Sequence, residues 1–396
     1  MARRGFFAEQ IEHKVARFDI VLLSLLGVLV VLGLGMLWSA SWFRAEQLYG
    51  DPVRFVMRQG MWTLVGLVIM VITALFPLDI LRRYLPVLVL FTTVISLILF
   101  VPGVSARYMG ARRWIVLFNI SFQPSELVKV TLVLYLAHIF ARREGDFSQP
   151  AQSLLPPTLV VLLLAGIVLA QNDFSTSVFL VAVAMSMFFF AGVPMAHFFK
   201  LFTVVVPISL IMVFTREHRV RRIIAFLKPM HDPSGGGFQI LAARRALENG
   251  GLWGVGIGQS VRKFGSLPEV QSDFLFAILA EELGLIGVFV VTALFVAFAV
   301  RGLYLAARQP DWFRSLLAAG IVSSITLQAL LNIAVVVGAV PATGIPLPFF
   351  SSGGSALVIT FGMCGLLLNA AGDSVEKGRQ RKFYTVQRAE WEPYRV

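Results

Sequence analysis

Long apolar stretches separated by short polar ones run along almost the whole chain. Most come close to the roughly 20 residues that an α-helix needs to cross the hydrocarbon core of a bilayer. Because lipid offers no hydrogen-bond partners to the backbone, such stretches are expected to be helical. The pattern predicts an all-α polytopic membrane protein with about ten transmembrane helices. The predicted spans are 18–38, 57–76, 84–102, 122–140, 154–170, 174–192, 197–214, 273–300, 315–337 and 351–371.

The composition supports a membrane location. Of the 396 residues, 57% are hydrophobic and 14% are charged, whereas a soluble domain has roughly 25% charged residues. A chain this apolar cannot cover its surface with polar groups in water. A single cysteine, Cys364, excludes an intramolecular disulfide and a cysteine-based metal cluster.

The net charge of +12 is explained by topology rather than by nucleic acid, which is not an expected partner. Ten spans place both termini in the cytoplasm, and both are basic. The expected division is a cytoplasmic tail over 1–17, a membrane domain over 18–371 and a second cytoplasmic tail over 372–396. The first span is expected to be retained rather than cleaved as a signal peptide.

Five segments are then expected outside the cell, and the longest, 215–272, has a clear excess of Lys and Arg. This excess favours an anionic partner. Two candidates for this anionic partner remain open. One is acidic lipid headgroups, and the other is a phosphate or pyrophosphate group bound at a site. The glycine-spaced stretch 254–258 could expose backbone N–H groups to phosphate, although a flexible turn explains it equally well. The five segments are 39–56, 103–121, 171–173, 215–272 and 338–350.

Ionisable residues in apolar spans cost about 2.5–3.5 kcal/mol at a helix centre, which makes them functional candidates. Glu126 and Lys129 open the fourth span three residues apart, so they share a helix face and can pair. A pair that only orients the helix is the alternative. Asp173 joins two spans with almost no loop and must lie at the outer membrane edge, where capping the next helix is the alternative.

Asp273 lies at the start of the eighth span and faces the cationic loop, although it too could be a helix cap. Of the adjacent acids Glu281 and Glu282, at least one is expected to face the protein interior. Residues 344–355 contain two prolines and paired glycines, which prevent a regular helix. Irregular backbone at membrane depth is tolerated where it is buried or lines a cavity.

Five motifs, in order, resemble those of the SEDS family (FtsW, RodA and SpoVE), from the first span to Gly372. The motifs are Gln123-Pro124-Ser125-Glu126 with Lys129, the Gln171–Asp173 link, Leu267-Pro268-Glu269 before Asp273-Phe274, Glu281-Glu282-Leu283-Gly284, and Pro346-Leu347-Pro348 with Gly353-Gly354-Ser355. Features of 256–263 are closer to the division-type branch, and those of 343–348 to the elongation-type branch. We favour the division type.

The resemblance implies a peptidoglycan glycosyltransferase that polymerises lipid II, a disaccharide peptide on undecaprenyl pyrophosphate, at the outer face of the inner membrane. Asp273 matches the family's essential acid and is the candidate base for an inverting displacement. Cations are expected to stabilise the departing pyrophosphate. The substrate-binding candidates are Arg112, Arg113, Gln123, Glu126, Lys129, Asp173, Arg221, Ser260, Lys263, Glu269, Gln328, Asn332 and Ser355.

The resemblance also implies partners: a class B penicillin-binding protein and other proteins of the division or elongation complex. No organic cofactor is expected. A divalent cation, Mg²⁺ or Mn²⁺, is an expectation from the family, with Asp173 or Glu126 helping to hold it. Two other functions remain open: a lipid II flippase, which would also have intramembrane charges and broken helices, and a scaffold that only recruits a synthase.

Overall fold

The structure is a computed structural model that describes most of residues 18–391. The ranges outside the described residues are 1–17, 103–104, 109–110, 118–119, 145, 148–149, 232–235, 261–272 and 392–396. Some side chains within helices and strands are also outside them, including that of Arg112 and those of 373–391.

The described residues form thirteen α-helices and one small sheet. The elements are α1 (Ile20–Tyr49), α2 (Arg54–Leu75), α3 (Leu78–Arg83), α4 (Leu85–Ile98), β1 (Ser105–Tyr108), β2 (Ala111–Leu117), β3 (Ile120–Phe122), α5 (Pro124–Ala141), α6 (Pro150–Ala170), α7 (Phe174–Phe190), α8 (Met195–Phe214), α9 (Glu217–Leu227), α10 (Gly236–Gly250), α11 (Leu275–Ala307), α12 (Trp312–Val336) and α13 (Gly354–Trp391).

Eight of these helices are long and apolar enough to cross a membrane: α1, α2, α5, α6, α8, α11, α12 and the first part of α13. The shorter apolar helices α4 and α7 lie where the third and sixth spans were predicted. The all-α polytopic class is therefore confirmed, while the count of ten spans and the position of the long loop stay predictions.

Helices α5 and α12 form the centre of the bundle and are buried along most of their length. Around them, α2 and α13 pack through small residues. A Cβ at Gly66 would lie 2.3 Å from the Phe361 ring, and a Cβ at Gly365 would lie 2.2 Å from the Met70 carbonyl oxygen. Such close approach is typical of helices in lipid, where packing rather than hydrophobic burial drives association.

Helix α11 is broken near its N-terminus. Gly284 has φ 65° and ψ −165°, a conformation that residues with a Cβ rarely adopt. The break separates a short section, Leu275–Leu283, from the long remainder of the helix. Every residue from Leu275 to Glu282 is buried. Only Phe274 separates Asp273 from the short section, so the angle of this section constrains the position of Asp273.

The predicted external segments meet at one end of the bundle. Ser39 accepts a hydrogen bond from the Gly258 N–H, Arg113 contacts Asp173, and Arg222 contacts Ala342. At the opposite end, Arg301 pairs with Asp19 at 2.5 Å. The five external segments thus share one end, as the predicted topology requires.

Candidate functional site

A polar cavity of about 70 Å³ opens between α5, α7, α12 and the irregular segment 341–353. This segment is non-helical, as its prolines predicted, and Gly344, Ile345 and Pro346 form part of the cavity wall. The polar lining is unusual for a bundle that is otherwise apolar. The side chains with polar groups are Arg113, Trp114, Gln123, Ser125, Glu126, Lys129, Asp173, Thr176 and Gln328.

Lys129 and Glu126 form a buried ion pair at the base of the cavity. The Lys129 Nζ lies 2.8 Å from Glu126 Oε2 and 2.8 Å from Gln328 Oε1. Gln328 in turn donates its Nε2–H to the Pro346 carbonyl at 2.9 Å. The pairing predicted from the spacing is therefore present. It also connects α5 and α12 to the irregular segment.

Asp173 caps α7 and lines the cavity at the same time. Its Oδ1 accepts the Thr176 N–H at 3.3 Å, and its Oδ2 lies 3.6 Å from Arg113 Nε and 3.4 Å from Gln123 Nε2. Strand β2 carries Arg113 to this position, where its Nη2 donates to the Asn172 carbonyl at 2.8 Å. Asp173 therefore caps α7, as the alternative predicted, and its Oδ2 remains directed towards Arg113 and Gln123.

Two buried polar atoms in the cavity wall have no hydrogen-bond partner among the described residues: Arg113 Nε and Ser125 Oγ. Buried polar atoms are nearly always hydrogen-bonded to protein or to water. Arg113 Nε faces Asp173 Oδ2 at 3.6 Å, so Ser125 Oγ is the one of the two whose hydrogen-bonding capacity is unused among the described residues.

Asp273 lies beside Gly344 and Ile345, two residues of the cavity wall, but is not itself part of the lining. Asn332 Nδ2 donates to the Asp273 carbonyl at 3.0 Å and to the Ile345 carbonyl at 2.9 Å. The Asp273 carboxylate faces the irregular segment: a Cβ built on Gly344 would lie 3.5 Å from Asp273 Oδ2. Phe274, rather than Asp273, occupies the cap position of α11, so capping does not explain Asp273.

Three arginines approach the cavity from the external side and are here called the arginine cluster: Arg113, Arg219 and Arg222. Arg222 Nη1 lies 3.4 Å from the Ala342 carbonyl. Although Arg222 keeps access to solvent, desolvation lowers its pKa first and the charge of Arg113 lowers it further, while Asp273 and Asp173 raise it. Arg113 thus contacts Asp173 directly, and the charges of both aspartates act on Arg222.

The same excess of positive charge affects the pKa of His218. Its pKa lies below the usual value, first because of desolvation and then because of repulsion from Arg219, Arg222, Arg113 and Arg216. Arg219 is buried, and its Nη1 donates to the Met212 carbonyl at 2.7 Å. Closely spaced cations of this kind favour an anionic ligand.

The other predicted site residues lie elsewhere. Arg221 is exposed on α9 and pairs with Glu217 at 2.6 Å. Ser260 is fully buried beside Glu281 and does not line the cavity. Ser355 lies in the first turn of α13, where its buried Oγ has no hydrogen-bond partner among the described residues. Lys263, Glu269 and the Arg112 side chain lie outside the described residues.

The sequence included Arg219 and Arg222 only in the cationic excess of 215–272, whose arginines and lysines were candidates for the pyrophosphate, and it singled out Arg221 instead. Arg219 and Arg222 are three apart on α9 and share a face, whereas Arg221 points away from that face. The spacing was present in the sequence, but it became informative only once this part of the predicted loop was known to be helical.

Fold and site together define a polytopic membrane protein with a cationic, carboxylate-bearing pocket at one end of its helical bundle. The chain belongs to the FtsW/RodA/SpoVE family: the family model described as "Cell cycle protein" matches residues 19–376. The SEDS resemblance is thereby confirmed, and the protein is a multi-pass inner-membrane protein.

Three relatives illustrate the similarity. The chain is 36% identical over 359 residues to a probable peptidoglycan glycosyltransferase FtsW of Geobacter sp. (strain M18), covering 91% of this chain and 98% of the relative. It is 35% identical over 353 residues to stage V sporulation protein E of Bacillus subtilis (strain 168), covering 89% and 96%. A chain from a solved peptidoglycan synthase complex matches with a TM-score of 0.74 and 25% identity, covering 90% and 98%.

Proposed function

We propose that this protein is a peptidoglycan glycosyltransferase that polymerises lipid II into glycan strands at the outer face of the inner membrane. The observation that carries the proposal is the position of the Asp273 carboxylate beside Gly344, in the wall of the polar cavity. The reaction itself is inferred from the names of the relatives, because the geometry alone indicates only an anionic ligand.

In the proposed reaction, Asp273 takes the proton from the acceptor sugar hydroxyl. The resulting oxygen attacks the anomeric carbon of the donor, on the face opposite the pyrophosphate. The bond from that carbon to the pyrophosphate oxygen breaks, and its electron pair leaves with undecaprenyl pyrophosphate. A positioned general base of this kind contributes about 10²–10⁴-fold to the rate. One displacement inverts the linkage, so no covalent enzyme intermediate is needed.

The arginine cluster would bind the pyrophosphate. Charge develops on this group as the bond breaks, and fixed cations that face the developing charge lower the barrier. Arginine also donates in a planar fork that matches phosphate oxygens. Arg113 repels both Arg219 and Arg222, and an anion bound beside Arg113 would relieve this repulsion.

A divalent cation fits the described residues poorly. Each carboxylate in the cavity wall already has a cation beside it: Lys129 for Glu126 and Arg113 for Asp173. Within the described residues, no three His, Cys, Asp or Glu side chains form a possible metal-binding group. The mechanism above therefore has no step through a metal ion.

We further propose that both termini lie in the cytoplasm, that the cavity faces outwards, and that a class B penicillin-binding protein is the partner in cell division. The predicted external segments share one end of the bundle, whereas Arg82, Arg301 and Arg314 lie at the other. An excess of Arg in short loops is typical of the cytoplasmic side, which supports the orientation. The match to a chain of a peptidoglycan synthase complex supports the partner. The relatives named FtsW support the division role.

Polymerisation of lipid II by the purified full-length chain, alone and with a class B penicillin-binding protein, tests the proposal. Glycan strands resolved on a gel are the expected product. Translocation of lipid II across liposomes without any polymer would favour a flippase. Polymer that needs the partner and is insensitive to Asp273→Asn would favour a scaffold.

A further inference from the structure

Residues 250–260 lie against the broken turn of α11. The Glu281 and Glu282 carbonyls accept hydrogen bonds from the Val255 and Gly256 N–H groups at 3.0 and 3.1 Å. In the other direction, the Leu285 and Ile286 N–H groups donate to the Gly251 and Leu252 carbonyls at 2.9 and 3.3 Å. The segment thus satisfies backbone groups that the break at Gly284 separates from their helical partners.

Four side chains complete this connection and are here called the glutamate clamp: Glu281, Glu282, Ser39 and Ser260. Both glutamates are 1% exposed. Glu281 accepts the Ser260 hydroxyl and the Asn249 side-chain N–H, the latter at 3.2 Å. Glu282 accepts the Ser39 hydroxyl at 2.5 Å. Ser39 in turn accepts the Gly258 N–H at 3.1 Å, so the clamp reaches from α1 to α11.

The backbones approach so closely that only glycine fits between them. A Cβ at Gly250 would lie 2.1 Å from the Ala280 carbonyl oxygen, and one at Gly254 would lie 2.1 Å from the Glu282 carbonyl oxygen. Atoms at that distance overlap, so either substitution requires the segment or the helix to move. The short section of α11 has little freedom to change its angle while these contacts hold.

We infer that Glu281 and Glu282 are positioning residues for the glycosyl transfer. They fix the angle of Leu275–Leu283 and thereby hold the Asp273 carboxylate beside Gly344 of the cavity wall. Both glutamates are 1% exposed, and their carboxylates are hydrogen-bonded to Ser39, Ser260 and Asn249, so neither is placed to touch the substrate. The inference rests on the proposed function, because it concerns the same carboxylate.

A positioning role explains why α11 buries two adjacent carboxylates, which a contribution to stability alone does not explain. Two adjacent carboxylates in a buried helix are costly, and well-packed apolar residues often serve stability equally well or better. Directional hydrogen bonds instead fix one register between the segment and the helix. A misplacement of about 1 Å at a reacting group can reduce the rate about 100-fold.

The first test compares Glu281→Gln with Glu281→Leu in lipid II polymerisation. The amide keeps an oxygen that can accept the Ser260 hydroxyl, whereas leucine removes every acceptor. We expect Glu281→Leu to lower kcat at least about 10-fold with KM nearly unchanged, and Glu281→Gln to keep most of the activity. Equal kcat in both variants and wild type would overturn the inference.

The second test uses two matched glycines. Gly250→Ala places a Cβ 2.1 Å from the Ala280 carbonyl oxygen, and Gly365→Ala places one 2.2 Å from the Met70 carbonyl oxygen on α2. We expect both variants to lower Tm, but only Gly250→Ala to lower kcat among molecules that remain folded. A parallel loss of kcat in both would show a merely structural role. Absence of polymer from the wild-type protein would overturn the proposed function, and the inference with it.

Discussion

At the scale of single residues, buried charges in the site are stabilised by specific partners. Lys129 is 4% exposed and has two acceptors, Glu126 and Gln328. Removing one member of a buried ion pair leaves an uncompensated charge and costs about 3–5 kcal/mol, whereas removing both is often tolerated. Comparing a single variant with the double variant therefore distinguishes the contribution of the pair to stability from its contribution to substrate binding.

We therefore expect Lys129→Met to lower the free energy of unfolding by about 3 kcal/mol or more, because Glu126 remains buried without its cation. The double variant Glu126→Gln/Lys129→Met should recover most of that stability. It should not recover polymerisation, because the cation in the cavity wall is still missing. Thermal unfolding in detergent and polymerisation of lipid II measure the two effects. A double variant with full activity would show that the pair only orients α5.

At the scale of elements, the sequence predicted long apolar helices well because each span needs only length and hydrophobicity. It also predicted that Glu126 and Lys129 share a face of one helix. It did not predict the sheet β1–β3, the helices α9 and α10, or the break at Gly284. These depend on contacts between distant segments, such as the bond between the Val255 N–H and the Glu281 carbonyl.

Helix α9 provides a direct comparison of two neighbouring arginines. Arg222 faces the irregular segment near Ala342, whereas Arg221 is exposed and pairs with Glu217. We expect Arg222→Gln to raise KM for lipid II about 10-fold more than Arg221→Gln, because a charge-assisted phosphate contact contributes about 1.5–3 kcal/mol. Initial rates over a range of lipid II concentrations measure this ratio. Equal KM values would remove Arg222 from the pyrophosphate site.

At the scale of the whole molecule, the predicted external segments lie at one end and the predicted cytoplasmic loops at the other. At the predicted cytoplasmic end, two ion pairs, Arg301–Asp19 and Arg82–Asp311, connect segments that are distant in the sequence. A protein built this way exposes its candidate site to only one side of the membrane. The orientation of that end can be measured independently of activity.

Cys364 is fully buried and is the only cysteine in the chain, so engineered cysteines can be labelled selectively. We expect Glu217→Cys to react with a membrane-impermeant maleimide in spheroplasts. Arg308→Cys should react only after the membrane is permeabilised. The wild-type protein is the control for Cys364 and should stay unlabelled. The reverse pattern would place the cavity in the cytoplasm and favour a function on that side.

The proposed reaction depends most on Asp273, because this carboxylate is the proposed base for glycosyl transfer. The direct measurement is kcat for lipid II polymerisation by purified Asp273→Asn, with Asp311→Asn as a matched control at the opposite end. We predict a loss of about 10²–10⁴-fold for Asp273→Asn, with unchanged thermal unfolding, and wild-type kcat for the control. Glycan synthesis by Asp273→Asn at the wild-type rate would contradict the account.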